Sequence, residues 1–271
     1  MGVRRALADR VAPPVAAGFT RLARRRHGEP VHHHGVALAG ELAMRPHAGP
    51  AGAPLLDRPG RYRVRARVSW GIARAGVLPD VAGLALRVFD ADARGGAQDL
   101  LLDGSLPPPR DRVLVPRRDL AGWYGTPLRL RLGGPDGPKV QVAVRLESGP
   151  GRLTLAALRA AAEADRLRGV LVVHDAGRLL ATGELWLAAE AAVGAPADAA
   201  RPRFDLGVDA GGLVGAGFWH ALRMRAYAAA RAGDPRAPLL GRDEHPEHEV
   251  DHDLRTRQQA GQQEEQPHTG R

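Results

Sequence analysis

The sequence predicts an α+β protein built on a closed or nearly closed antiparallel β-barrel with helices packed outside it. Several segments alternate between apolar and polar residues, which is the period of a half-buried strand. These segments follow one another at short intervals, and a helical pattern interrupts them only late in the chain. The 34 glycines and 22 prolines among 271 residues supply the many turns that short strands need.

The first half of the barrel is predicted from three segments. Residues 36–42 and 83–89 are largely apolar and of strand length. Residues 61–69 alternate strictly, so this strand has one apolar face and one face that carries four arginines and Ser69. The apolar face consists of Tyr62, Val64, Ala66 and Val68.

The second half contains a hairpin, a helix and two more strands. Residues 128–132 and 140–146 alternate around a glycine-rich turn, which predicts the hairpin. Apolar residues at helical spacing then predict a helix that stops at Gly169, and residues 170–174 and 179–187 predict the two strands. The apolar residues of this predicted helix are Leu155, Leu158, Ala162 and Leu167.

Composition excludes several kinds of site. The chain has no cysteine, which rules out disulfides, thiolate metal sites and cysteine nucleophiles. The net charge of +9 comes almost entirely from arginine, with Lys139 the only lysine, as is typical of a GC-rich genome. We therefore expect no nucleic-acid partner. The sequence has no run of about 18 apolar residues and no signal-peptide core, so we expect no membrane span and a cytoplasmic location.

Charge divides the chain into three predicted regions. Residues 1–29 form a basic helical segment, because residues 1–27 carry seven arginines against one aspartate. Residues 30–240 form the barrel domain with its C-terminal helices. Residues 241–271 form a His-rich acidic tail, which we expect to be disordered because it has almost no apolar residues to bury.

A histidine triplet, His32 to His34, precedes the first predicted strand. In a strand, His32 and His34 would share one face while His33 points away. Two imidazoles on one face can begin a zinc or manganese site that carboxylates from elsewhere complete. This pattern supports one hypothesis, a metal-dependent hydrolase such as a phosphodiesterase that uses the triplet.

Three collinear segments resemble motifs of the haem catalase superfamily. Residues 31–40, VHHHGVALAG, are similar to the family's V-H-x-x-G-x-x-x-x-G, in which the histidine is the distal acid–base group. Residues 67–69, 80–88 and 99–100 resemble R-F-S, D-x-x-G-x-A-x-[KR] and D-L. Residues 223–227, RMRAY, match R-x-x-x-Y, in which the tyrosine oxygen ligates the haem iron. The chain as a whole resembles a short bacterial catalase-like protein.

The resemblance implies a catalase-like barrel that binds haem b and acts on hydrogen peroxide or an organic hydroperoxide. In this interpretation Tyr227 ligates the iron as a phenolate, and Arg223, four residues earlier on the same helical face, favours the charged form. His32 is the distal acid–base group, and Ser69 fixes its tautomer. Arg67, on the strand face of Ser69, pairs with a haem propionate.

The chain also departs from the family's motifs. The family's distal asparagine falls on Gly104, and the arginine that the family places shortly before the distal histidine falls near Glu29. These departures favour a peroxidase-like oxidoreductase with weak catalase activity. Two alternatives are open, the metal-dependent hydrolase and a catalase-fold binding protein without haem. An oligomer is compatible with each hypothesis.

Overall fold

The structure is a computed structural model of the 271-residue chain. It describes Ala17, Arg21 and residues 35–46, 49–70, 81–116, 119–147, 154–164, 167–189, 204–205 and 207–233. All described residues belong to the first of the two units into which the chain divides, residues 1–235. The histidine triplet, the predicted tail at 241–271 and all of residues 1–29 except Ala17 and Arg21 lie outside the described residues. The division into three regions therefore stays a prediction.

Ten strands are present in the described residues. They are β1 (Gly35–Met44), β2 (Gly60–Trp70), β3 (Ala82–Val88), β4 (Gln98–Gly104), β5 (Gly122–Gly125), β6 (Leu130–Leu132), β7 (Lys139–Leu146), β8 (Leu167–Asp175), β9 (Arg178–Ala189) and β10 (Leu213–Gly215). Eight of them close a ring in the order β1-β2-β3-β4-β5-β7-β8-β9, with β9 pairing back to β1, and every pair is antiparallel. In addition, β6 pairs with β7, and β10 pairs with β6. The predicted closed antiparallel barrel is confirmed.

Alternation explains why the barrel closes around an apolar interior. Along β2 the predicted apolar face is buried. The register places Val64 of β2 between Gly40 of β1 and Val88 of β3, so the apolar faces of neighbouring strands coincide. Eight strands enclose a space that side chains can fill. The largest buried side chains include Leu38, Leu42, Leu84, Leu86, Leu100, Tyr124 and Leu146.

Three helices accompany the strands in the described part of the chain: α1 (Pro54–Asp57), α2 (Leu155–Glu163) and α3 (Phe218–Gly233). α2 begins after Thr154, whose hydroxyl accepts a hydrogen bond from the Ala157 N–H at 3.1 Å. It packs against β9 and β1. No helix within the described ranges is long and apolar enough to cross a membrane. Because strands dominate these ranges, the α+β class with helices packed outside the barrel stays a prediction.

The structure shortens one predicted helix and confirms the predicted hairpin. α2 ends at Glu163, and the next apolar positions, Leu167 and Gly169, belong to β8. Leu167 pairs with Leu187 of β9 and is buried in the barrel, which outweighs its helical spacing from the residues before it. The hairpin is formed by β6 and β7, which pair from Leu130 onward.

Candidate functional site

Ser69 belongs to a row of outward-facing residues on the barrel. The register pairs Ser69 of β2 with Gly35 of β1 and with Gly83 of β3, and it pairs Gly83 with Asp103 of β4. Directly opposed residues point to the same face of a sheet, so these four residues share the outer face. Ser69 is nevertheless only 4% exposed. We call this set the Ser69 row.

Small residues surround Arg67 and Ser69 on the outer face. Arg67 is opposite Ala37 of β1 and Ala85 of β3, two positions along the strands from the glycines that flank Ser69. Arg67 is 7% exposed. Glycine and alanine project little beyond the backbone, so only short side chains flank Arg67 and Ser69 on this face. We call this patch the small-residue platform, and it consists of Gly35, Ala37, Gly83 and Ala85 around Arg67 and Ser69.

The two glycines of the first motif have structural reasons of their own. A Cβ atom on Gly35 would lie 2.5 Å from the Val68 carbonyl oxygen, and one on Gly40 would lie 1.8 Å from the Trp186 carbonyl oxygen. Both distances are far shorter than a van der Waals contact, so neither position accepts a side chain. The glycine spacing in residues 31–40 therefore follows from the packing of β1 against its neighbours.

The second motif contains an ion pair between β3 and β4. Arg87 is directly opposite Asp99, and its Nε and Nη2 atoms donate to the two carboxylate oxygens, each at 2.7 Å. The Asp205 N–H donates to the same carboxylate at 2.6 Å. Burial raises the pKa of Asp99, and the hydrogen bonds and charge of Arg87 oppose that effect. The arginine and aspartate of this motif thus hold the register of the two strands.

Helix α3 brings the third motif to the face that carries the Ser69 row. The Nη2 atom of Arg223 lies 4.0 Å from the Oδ2 atom of Asp103. Asp103 is two strands away from Ser69, a separation of about 10 Å at the usual spacing of strands. Tyr227 follows Arg223 by four residues, so it lies about 6 Å further along the helix axis. Arg223 and Ser69 are therefore on the same side of the barrel.

The hydroxyl of Tyr227 differs from those of the other two tyrosines in the chain. Tyr62 and Tyr124 each donate to the backbone carbonyl of the residue four positions earlier. Tyr227 is half-buried, and within the described ranges nothing hydrogen-bonds to its hydroxyl. The guanidinium of Arg223 lies over its ring, 5.5 Å from the centroid. Tyr227 is thus the tyrosine whose oxygen is not committed to the backbone.

The register corrects one sequence assignment on β4. Gly104 is opposite Tyr124, whose side chain is buried inside the barrel, so position 104 belongs to the inner face. The resemblance predicts that Gly104 stands at the position of the family's distal asparagine, on the same face as Ser69. The register contradicts that prediction, because Gly104 and Ser69 are on opposite faces of the barrel wall. The residue of β4 that shares the face of Ser69 is Asp103, and it carries a carboxyl group.

Helix α3 also presents His220, which the sequence did not single out. The His220 ring occupies the space that a Cβ on Gly215 would fill, with its Cε1 atom 1.7 Å from that position. Burial lowers the pKa of His220, Arg223 lowers it further, and Asp209 opposes both effects. The one available signal was spacing, since His220 precedes Arg223 by three residues and so shares its side of the helix.

The histidine triplet lies outside the described residues, so the role of His32 stays a prediction. Among the residues that the structure describes, no three or more histidine, aspartate and glutamate side chains form a group that could hold a metal ion. That finding does not cover the triplet itself. The metal-dependent hydrolase therefore stays a hypothesis.

Comparisons with known proteins give a distant structural similarity. No family model and no curated protein matches the sequence. Among solved structures, the chain is similar to catalase A from Saccharomyces cerevisiae, with 12% sequence identity and a TM-score of 0.49. The match covers 78% of this chain and 61% of that chain, so this chain spans less than two thirds of the length of the yeast protein.

Proposed function

We propose that this chain is a haem-binding oxidoreductase that acts on hydroperoxides, with Tyr227 as the iron ligand and His32 as the distal acid–base group. The observation that carries the proposal is the state of Tyr227. Its hydroxyl has no hydrogen-bond partner in the described ranges, on a helix whose Arg223 approaches the outer face of β4. A tyrosine available in this way, four residues after an arginine, agrees with the resemblance of residues 223–227 to R-x-x-x-Y.

The residues on this face fit a haem in their chemistry. A phenolate is a suitable ligand for ferric iron, and a neighbouring cation such as Arg223 stabilises an anionic oxygen. The short side chains of the small-residue platform would let a planar macrocycle approach the strands closely. Arg67, in the middle of that platform, has the planar guanidinium that pairs with a propionate through two hydrogen bonds. When bound, haem would supply the redox chemistry that cleaves the O–O bond of a hydroperoxide.

His32 and Ser69 would handle the proton in this proposal. His32 would take a proton from one peroxide oxygen and deliver it to the other, which is general acid–base work for which an imidazole is well suited. In the sequence, His32 precedes Gly35, the partner of Ser69, by three residues, and three residues of chain span at most about 11 Å. The Ser69 hydroxyl would then hold the imidazole in one tautomer.

In this proposal Asp103 sets the ratio of oxygen release to donor oxidation. Oxygen release requires a second peroxide held as a reductant, and in catalases the distal asparagine contributes to that. An ionised carboxylate accepts hydrogen bonds but cannot donate them, whereas an amide does both. We therefore expect slow oxygen release beside measurable oxidation of an added donor or turnover of an organic hydroperoxide.

The test is a haem titration of the purified chain, followed by oxygen release and donor oxidation measured side by side. We expect a Soret band with a high-spin tyrosine–ferric spectrum, clear donor oxidation and little oxygen. General acid–base catalysis typically raises a reaction rate by ~10²–10⁴-fold. The variant His32→Ala should therefore slow donor oxidation by about that factor while haem stays bound. His33→Ala, within the same triplet, is the matched control and should have a much smaller effect.

Three results would count against the proposal. Fast oxygen release with no donor oxidation would contradict the assigned reaction type. A colourless protein that holds stoichiometric zinc or manganese would favour the hydrolase that uses the His32–His34 triplet. A protein that stays colourless and metal-free when haem is supplied would favour a binding protein without haem.

A further inference from the structure

Large hydrophobic side chains are exposed at four positions in the described residues, and three of the four lie in two neighbouring segments. Val113 and Leu114 are 51% and 48% exposed in the connection between β4 and β5, and Leu179 is 58% exposed where β9 begins. The fourth, Trp219, is on α3. Single exposed hydrophobic residues are normal on a protein surface, whereas a group of them rimmed by polar residues marks an interaction site.

The two segments are packed against each other. The buried pair of His174 Nε2 and Asp111 Oδ2, 2.8 Å apart, joins the connection between β4 and β5 to the end of β8. A Cβ atom on Gly177, in the turn between β8 and β9, would lie 3.5 Å from Pro109, which is ordinary van der Waals contact. The exposed side chains of the two segments therefore belong to one region of the surface.

Backbone hydrogen bonds hold the connection between β4 and β5 in place. The Leu106 N–H donates to the Val113 carbonyl at 3.2 Å, and the Val115 N–H donates to the Gly104 carbonyl at 2.8 Å. The aliphatic side chains at 113 and 114 are thus presented to solvent by a segment that is already ordered. Because little chain order would have to be created, a partner that covers them would bind with a small entropic cost.

Arginines supply the charge of this region. Arg110, Arg112 and Arg178 are exposed, and within the described residues no carboxylate forms an ion pair with any of them. Of the two aspartates in the same segments, Asp111 is buried and only Asp175 is exposed. The exposed side chains are therefore aliphatic and, in sum, positively charged. We call this surface the loop patch, and it consists of Arg110, Arg112, Val113, Leu114, Arg178 and Leu179.

We propose that the loop patch docks the protein on an anionic phospholipid membrane, with the three aliphatic side chains in the interfacial layer and the arginines among the lipid headgroups. The inference goes beyond the proposed hydroperoxide chemistry and does not depend on it. Each arginine close to an anionic membrane surface raises the affinity by about fivefold. The patch contains no aromatic side chain, and leucine and valine are under-represented among the residues that dominate protein–protein binding, so its composition favours lipid over a protein partner.

Co-sedimentation of the purified full chain with large unilamellar vesicles tests this inference. We expect the chain to bind vesicles of phosphatidylcholine and phosphatidylserine, and to bind vesicles of phosphatidylcholine alone about tenfold more weakly or less, because the arginines then face no net negative charge. The double variant Leu114→Ser/Leu179→Ser should weaken binding to the anionic vesicles by about tenfold or more. Each methylene-sized group that leaves water contributes a factor of about four, and this variant removes several.

A charge-matched pair of variants separates the patch from the net charge of +9. Arg110→Gln/Arg112→Gln/Arg178→Gln should weaken binding to the anionic vesicles by about tenfold or more. The control is Arg58→Gln/Arg94→Gln/Arg159→Gln, which removes the same charge from three exposed arginines on other elements. It should change the affinity by less than about threefold, because salt screens charges that do not reach the membrane surface.

Trp219→Ser is the control for the apolar side chains, since Trp219 is exposed on α3 and should leave vesicle binding unchanged. All exchanged residues are exposed, so every variant should keep the Tm of the native chain, which circular dichroism checks. The inference is overturned if the chain does not bind anionic vesicles, if the leucine or arginine variant of the patch binds fully, or if a control loses as much as its patch variant. A dimer in solution that Leu114→Ser/Leu179→Ser dissociates would also overturn it, by assigning the patch to a contact between copies. The vesicle assay needs no haem, so its failure is distinguishable from failure of the proposed function.

Discussion

The buried pair of His174 and Asp111 allows a quantitative prediction. The His174 side chain is 2% exposed and that of Asp111 is 0% exposed, and the His174 Nε2 and Asp111 Oδ2 atoms are 2.8 Å apart. The Gly177 N–H donates to Nδ1 at 3.3 Å, so the hydrogen bond to the carboxylate is donated by the Nε2–H group. The other carboxylate oxygen, Oδ1, has no hydrogen-bond partner in the described structure.

The substitution His174→Ala would leave Asp111 buried with neither oxygen bonded. Leaving a buried acceptor without its hydrogen-bond donor typically lowers the free energy of unfolding by about 1–3 kcal/mol, and by more when the group is charged. For a domain of this size each 1 kcal/mol lowers Tm by about 2–4 °C, so we expect Tm to fall by roughly 2–12 °C. The loss follows from the unpaired charge more than from the lost volume.

Urea unfolding followed by circular dichroism measures this change. Arg45→Ala is the control, because Arg45 pairs with Glu184 at the surface, where a pair contributes about 0–1 kcal/mol. In the double variant His174→Ala/Asp111→Ala no buried charge is left unpaired, so the loss should be smaller than the sum of the two single losses. A loss below about 1 kcal/mol for His174→Ala would refute the reasoning.

The same pair supports the Ser69 row from one end. The Asp111 carbonyl oxygen lies 2.2 Å from where a Cβ on Gly125 would be, so the Asp111 segment packs directly on β5. Gly125 in turn is the partner of Asp103 across β4 and β5. Loss of the pair would therefore loosen a segment that borders the candidate site.

Two further predictions concern α3 and β4. Burial lowers the pKa of His220 from its ordinary 6.5. As the pH falls through about 6.5, the unfolded chain therefore binds a proton at this histidine that the folded chain does not bind. The free energy of unfolding decreases as a result. His220→Gln should thus lose less in Tm than the native chain between about pH 7.5 and pH 5.5, and an equal loss would contradict the shift. Asp103→Asn adds an amide donor to the outer face of β4, so the haem-bound variant should release more oxygen per donor oxidised. An unchanged ratio would exclude Asp103 from the reaction.

Alternation predicts the barrel well where one face of a strand is buried and the other is polar. β2 shows this clearly, since four of its arginines share the outer face and the apolar residues share the inner face. β4 lacks this signal because residues 100–102 are all leucine. Leu101 is on the outer face of β4, where it lies beneath the α3 residues His220 and Arg223. β5 covers only Gly122–Gly125, which is too short for a period to show.

The sequence motifs propose residues for the candidate site but say nothing of its geometry. Short motifs selected Arg67, Ser69, Arg223 and Tyr227, although residues 67 and 223 are far apart in the sequence. Closure of the barrel and the position of α3 bring Arg223 toward β4, and neither is encoded in a local pattern. Asp103 was missed because the strand face of each residue in β4 depends on its pairing with β3 and β5.

Phenylalanine substitution at each of the three tyrosines tests the proposed iron ligand most directly. We expect the haem-bound native chain, Tyr62→Phe and Tyr124→Phe to share one Soret band and one high-spin tyrosine–ferric signal. The hydroxyls of these two tyrosines are bonded to the backbone, and burial raises the pKa of Tyr62, so neither is suited to bind iron as a phenolate. Tyr227→Phe alone should lose the signal or the haem. An unchanged Soret band and full haem occupancy in Tyr227→Phe would contradict the assignment.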